Sequence, residues 1–223
     1  MEKLPKIKII YEDNHLLVVE KPVNIPVCED NTKDLDLLTI LKQYLKEKYN
    51  KPGNVYLGLV HRLDRPVSGI MVFAKTSKAA SRLSEQVRTN KLNKTYFAVV
   101  ENKIKPKDTL KDYLIKDQKT NITKVTTQDK GKLAILYYEV IDTKNNLNLI
   151  KIKLLTGRSH QIRVQFSSRN NPLYGDQKYN KNAKPNTNVA LYAKELSFYH
   201  PVTKELLTFT LELPKRYPFT LFE

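Results

Sequence analysis

The chain has 223 residues, one Cys, four His, and 39 Lys+Arg against 23 Asp+Glu, a formal net charge of +16. A lone cysteine, Cys28, excludes an internal disulfide framework and a thiolate metal cluster, and His15, His61, His160 and His200 show no metal-ligand spacing. No apolar run approaches the ~18 residues of a membrane span, and MEKLPKIKII carries no signal-like stretch, so a soluble, cytoplasmic chain with no membrane and no metal partner is expected. The absence of a self-complementary apolar face points to a monomer. Excess positive charge attracts polyanions, nucleic acid first among them; a Lys-rich solvated surface is the bland alternative.

Residues 6–11 and 16–20 predict two strands about the turn EDNH, followed by the extended loop KPVNIPV. Residues 34–49 predict a helix with Leu35, Leu38, Leu41, Leu45 and Tyr49 on its apolar face. A short buried strand at 57–60 leads into the loop HRLDRPVSG, and 70–75 reads as another buried strand. Thr76 or Ser77 caps a helix over 78–91 with Ala79, Ala80, Leu83 and Val87 inward. Residues 94–100 alternate as a strand, 110–141 hold two or three hairpin segments, and 147–156 alternate up to Gly157. A short helix begins at Ser159, a basic Pro/Asn-rich loop covers 172–188, and strands near 189–200 and 206–214 close the sheet. This pattern predicts an α+β fold: a large mixed, mostly antiparallel sheet flanked by helices and loops, over one domain, 1–223, of two lobes sharing the sheet.

Arginine is scarce, 8 residues, and seven of them fall in two windows: Arg62, Arg65, Arg82 and Arg88, then Arg158, Arg163 and Arg169. Arg where Lys is abundant marks positions needing a planar fork. Gly69, Gly157 and Gly175 lie in or beside the windows and predict unusual backbone angles there. The two windows read as two sides of one site. In the first, His61–Gly69, the Asp64 carboxylate stands between two guanidinium groups, which favours its ionised form and use as nucleophile or base. A structural Asp–Arg pair tying a turn is the alternative. In the second, Leu155–Arg163, Gly157 ends a strand and Ser159 can cap a helix whose free N–H groups suit a phosphate or water. Of Arg158 and Arg163, one can hold a phosphate and the other pair a buried carboxylate. Tyr96, sharing a strand face with Ala98 and Val100, is a base-stacking or a half-buried core residue.

HRLDRPVSGIMVFAKT, KTYFAVV, LLTGRSHQIRVQF, ALYAKELSFYHP and the opening IIYEDNHLLVVEKPVNIPV together resemble the RluA family of RNA pseudouridine synthases over residues 7–215. The resemblance implies the pseudouridine synthase fold with a central active-site cleft, without the family's S4-type RNA-binding domain. It implies isomerisation of uridine in ribosomal or transfer RNA with no cofactor. It makes Asp64 the catalytic aspartate, Arg163 the partner that orients it, and Tyr96 a residue packing on the uracil. His61, Arg62, Arg158 and Leu191 are expected on the substrate side, Leu191 as an apolar pocket wall. Lys178, Lys181 and Lys184, by loop position, are expected along the RNA. Departures from the family pattern are Val67, Ser159, Gln165, Asn180 and Tyr192, none at the three catalytic positions.

Two readings compete. An RNA-binding protein on the same scaffold without turnover would not need Asp64, Tyr96 and Arg163 together. A hydrolase or kinase, suggested by the letters HRLD, lacks a Gly-rich phosphate loop, an Asp-Phe-Gly site and paired carboxylates.

Overall fold

A computed structural model describes residues 5–30 and 32–223. In chain order, its first part contains β1 (Lys8–Glu12), β2 (Leu16–Lys21), α1 (Leu37–Lys48), β3 (Gly58–Leu59), β4 (Ser68–Ala74) and α2 (Ser77–Arg88). Then come β5 (Asn93–Glu101), β6 (Lys107–Asp117), β7 (Ile122–Thr126), β8 (Lys132–Lys144), β9 (Leu147–Leu154) and α3 (Gln161–Ser167). β10 (Leu191–Tyr199), β11 (Leu206–Thr210) and a 3-10 turn at Phe219–Phe222 complete the described elements. The chain divides into two compact units: Met1–Asn93 with Glu195–Leu211, and Lys94–Lys194 with Glu212–Glu223.

In the first unit, the apolar run Leu16–Val19 and all seven residues of β4 are buried, and the two strands pair antiparallel from Leu16↔Ala74 to Lys21↔Gly69. A strand this continuously apolar is covered on both faces. β1 adds to β2, β3 to β4, and β11 to the second half of β10. Asp36 caps α1 by accepting from the Thr39 N–H, and Thr76 caps α2 through Ala79. Because α1 starts at Leu37, its buried stripe is Leu37, Ile40, Leu41 and Leu45. The expected face is thereby rotated: Leu35 and Tyr49, outside the helix proper, are exposed. In α2, Ala79 and Leu83 are buried as expected, while Ala80 and Val87 are half-buried. β3 is a half-buried two-residue strand, not a buried four-residue one.

The second unit is an antiparallel ladder in the order β5-β9-β8-β6-β7. Three strands fill the 110–141 region, a long hairpin with β7 folded onto β6. Tyr138 and Phe166 meet edge-on at 5.1 Å, seating α3 on the ladder. Two expectations about the start of α3 fail. Gly157 is not among the glycines with positive φ; the left-handed residue is His160, at φ 52. Ser159 does not cap the helix: the N-cap is His160, without a side-chain hydrogen bond, and Gln161 reaches back to accept from the Arg158 N–H at 3.0 Å. The Arg158 N–H is therefore satisfied within the chain.

Candidate active site

In the first unit, Asp64 sits half-buried on the loop between β3 and β4. Its carbonyl accepts from the Val67 N–H at 2.9 Å, closing a tight turn. Gly69, at φ 126, is the second residue of β4 and lets the strand begin directly after this turn. The turn is anchored by Lys21 at the end of β2. That side chain is fully buried, and its ammonium donates to the carbonyls of Pro22 (2.9 Å), Arg65 (2.9 Å) and Val67 (2.7 Å). Burial pushes the Lys21 ammonium down to about 7; the Asp64 charge pulls it back up and Arg65 pushes it further down. His61 is buried too, and its Nε2 accepts from the Val72 N–H at 3.1 Å, stapling the loop onto β4. Arg62 is exposed.

Of the two arginines that flank Asp64 in the chain, Arg62 is exposed and Arg65 is committed elsewhere. Arg65 turns to the 24–34 segment, donating to the Asn24 carbonyl (3.2 Å), to Thr32 (3.0 Å) and to Asp34. Lys21, on the carbonyls of Arg65 and Val67, is a cation that feels the Asp64 charge. Other members of the arginine windows also serve the fold: Arg82 donates to the Pro201 carbonyl at 2.7 Å, Arg88 pairs with Glu85 one helical turn away, and Arg169 pairs with Asp112.

In the second unit, Tyr96 on β5 opposes Ile152 and is 5% exposed. Lys94, two residues earlier and so on the same strand face, is pushed down to about 8 by burial. Leu191 is buried at the start of β10, next to Ala190, whose carbonyl accepts from the Val99 N–H of β5. Arg158 is exposed and donates Nε to the Leu133 carbonyl at 2.8 Å. Arg163 is buried on α3 and gripped side-on by Asp176: Nε to Oδ2 at 2.7 Å and Nη2 to Oδ1 at 2.6 Å. The Tyr179 ring lies 5.1 Å from the guanidinium carbon. The Tyr179 hydroxyl accepts from the Thr123 N–H at 2.8 Å and, 2.6 Å from His160 Nδ1, can donate to it. Lys178, Lys181 and Lys184 are exposed on the segment that follows Asp176.

The chain matches the family described as RNA pseudouridylate synthase over residues 15–168. It belongs to that family. Its members are isomerases that convert uridine to pseudouridine in RNA. This synthase is 32% identical over 211 residues to the "Uncharacterized RNA pseudouridine synthase YhcT" of Bacillus subtilis (strain 168), covering 94% of this chain and 69% of that protein. It is 32% identical over 226 residues to the "Ribosomal large subunit pseudouridine synthase D" of Zymomonas mobilis, covering 94% of this chain and 70% of the other. The solved structure "Human RNA Pseudouridylate Synthase Domain Containing 4" shares its fold, with a TM-score of 0.80 at 22% identity over 96% of this chain and 92% of that one.

Two residues of the synthase escaped the sequence reading. Lys21 closes the strand run LLVVEK, and a cation ending an otherwise apolar strand was its signal. Asp176 follows Gly175 in the loop 172–188, and no spacing there marked it as a partner for an arginine. Among the described residues, no group of three His, Cys, Asp or Glu side chains gathers that could hold a metal, and no helix is long and apolar enough to cross a membrane.

Proposed function

We propose that the synthase isomerises uridine in large-subunit ribosomal RNA, with Asp64 as its catalytic carboxylate. The observation that carries the reading is the anchoring of the Asp64 turn by fully buried Lys21 through three backbone carbonyls. A reacting carboxylate must be held within a fraction of an ångström, and a turn tied at this many points is held that way. The names of its relatives support ribosomal RNA as the substrate.

The chemistry asked of Asp64 is limited. The N1–C1′ bond breaks as the carboxylate either bonds to C1′ or takes the C2′ proton to leave a glycal. The detached uracil turns and C5 bonds to C1′, as the Asp64–C1′ bond breaks on the first route or as C2′ regains its proton from Asp64 on the second. C5 then loses its proton and N1 ends protonated. No electrons enter or leave, so no cofactor is required. Tyr96 packs on the uracil, Leu191 walls it, and Arg163 steers the carboxylate. His61 shapes the loop. Arg62, Arg158 and the exposed Lys178, Lys181 and Lys184 meet RNA phosphates, where Lys serves as a point charge without reading sequence. Extruding the target uridine costs a few kcal/mol, least in loops and bulges. The enzyme works as a monomer in the cytoplasm, where a lone Cys28 needs no partner.

Pseudouridines mapped by chemical labelling in RNA from cells with and without the protein test the reading. A site lost from large-subunit ribosomal RNA supports it. A site lost only from transfer RNA overturns the substrate assignment and leaves the chemistry standing. No lost site, as expected of a scaffold that binds without turnover, overturns the reading. With purified protein, Asp64→Asn keeps RNA affinity within a few-fold and abolishes pseudouridine formation; turnover near the wild-type rate removes Asp64 from its role.

A further inference from the structure

We propose that Asp176 is a positioning residue for the isomerisation. It fixes the plane of the Arg163 guanidinium and ties that guanidinium to the lysine-bearing segment that follows. This rests on the reading that gives Arg163 a part in the reaction.

Asp176 is fully buried, and both its oxygens are taken by Arg163 in a side-on fork at 2.7 and 2.6 Å. A fork of two parallel bonds fixes the guanidinium plane, which a single contact would leave free to swing. The direction of Nη1, the nitrogen Asp176 does not hold, is thereby set. The Tyr179 ring, 5.1 Å from the guanidinium carbon, supports the same plane from its face. Oδ1 has a second duty: it accepts from the N–H groups of Lys178 (3.0 Å) and Tyr179 (3.2 Å), forming the turn that opens the segment. Just before it, Gly175 has φ 71, and a side chain there would run into the Asn188 carbonyl. The two ends of the segment are thus held together, with Lys178, Lys181 and Lys184 exposed between them. RNA drawn onto those lysines pulls on the carboxylate that aims Arg163.

Stability alone is a poor reason for such a pair. Desolvating two charges costs about what their attraction returns, and an apolar pair of similar volume often serves a core as well. Directional control of a charged side chain is what an apolar pair cannot supply.

Single-turnover pseudouridine formation at saturating enzyme, with RNA affinity measured separately, tests the proposal on wild type, Asp176→Asn, Arg163→Lys, the double variant and Ser167→Ala. Ser167 donates to the Tyr179 carbonyl at 2.6 Å, so its loss loosens the same segment while the Asp176 fork on Arg163 stays in place. Asp176→Asn is expected to slow the chemical step roughly 10- to 100-fold while leaving RNA affinity within about threefold. Ser167→Ala should stay within about threefold in rate, and the double variant should be no more than about threefold slower than Arg163→Lys, since residues acting as one unit do not multiply their losses. A normal rate for Asp176→Asn, an equal loss in Ser167→Ala, or multiplying losses each overturn the proposal. Where Asp176→Asn fails to fold, Asp176→Glu replaces it; it keeps the charge but displaces the fork, and must show the same loss of rate without loss of affinity. Asp64→Asn run alongside separates the levels. Turnover in that variant breaks the broader reading, whereas a dead Asp64→Asn beside a normal Asp176→Asn breaks this proposal alone.

Discussion

Lys21→Met is the perturbation whose consequences the structure specifies most closely. The side chain is fully buried, and burial takes its ammonium from 10.5 down to about 7. Between those values the unfolded chain holds the proton and the folded chain does not. Raising the pH across that window therefore stabilises the fold, by up to ~1.4 kcal/mol per pH unit. Below it both states carry the proton and the whole penalty is present, about 5 kcal/mol for a shift of this size. Methionine keeps the volume, removes the titration, and leaves the carbonyls of Pro22, Arg65 and Val67 without their donor. Each such carbonyl kept from water costs ~1–3 kcal/mol. The variant is thus less stable than wild type at high pH, and the gap narrows by about 2–3 kcal/mol between about pH 9.5 and pH 7.5. Urea unfolding of both proteins at both pH values measures it. A gap that stays constant within ~1 kcal/mol would refute the assignment of Lys21 as a buried, depressed cation.

Glu12 gives the opposite sign. Burial raises its carboxyl, but hydrogen bonds from Lys48, Tyr49, Lys75 and Tyr44 overcome that and bring it down to about 2. Its contribution is present above the usual carboxylate range and fades as the pH falls toward about 2. Glu12→Gln should cost about 2 kcal/mol at neutral pH, allowing for solvent screening, and almost nothing near pH 2, as read from thermal melts at both pH values. RNA affinity should fall linearly on a log–log plot against salt; a flat response would remove the lysine surface from RNA binding.

Much of the architecture was legible because it follows from short-range rules. Alternation announced β5 and β9, apolar runs announced β2 and β4, and Thr76 announced α2. Where tertiary contacts decide, chain neighbourhood was not enough. Arg65, beside Asp64 in the chain, pairs across a loop with Asp34, while Lys21, far from it in the chain, lies under the same turn. Spacing alone cannot tell which neighbour a long flexible side chain will choose. Gly157 drew attention as the glycine expected to end β9, yet the left-handed conformation fell to His160, whose ring meets Tyr179. Asp176 was hidden for a related reason: a carboxylate in a Gly-Asp turn serves that turn, and only the folded chain shows the buried guanidinium it holds as well.

The left-handed backbone at His160 narrows what that position can become over time. Branched residues such as Val or Ile would be strained there, whereas Asn, Asp, Gly and His tolerate the angle. Of these four, Gly offers no side chain to receive the Tyr179 hydroxyl, and Asn or Asp would have to do so from a shorter reach. A lineage drifting at this site is thus confined to a handful of letters by geometry, and to fewer still by the partner across from it.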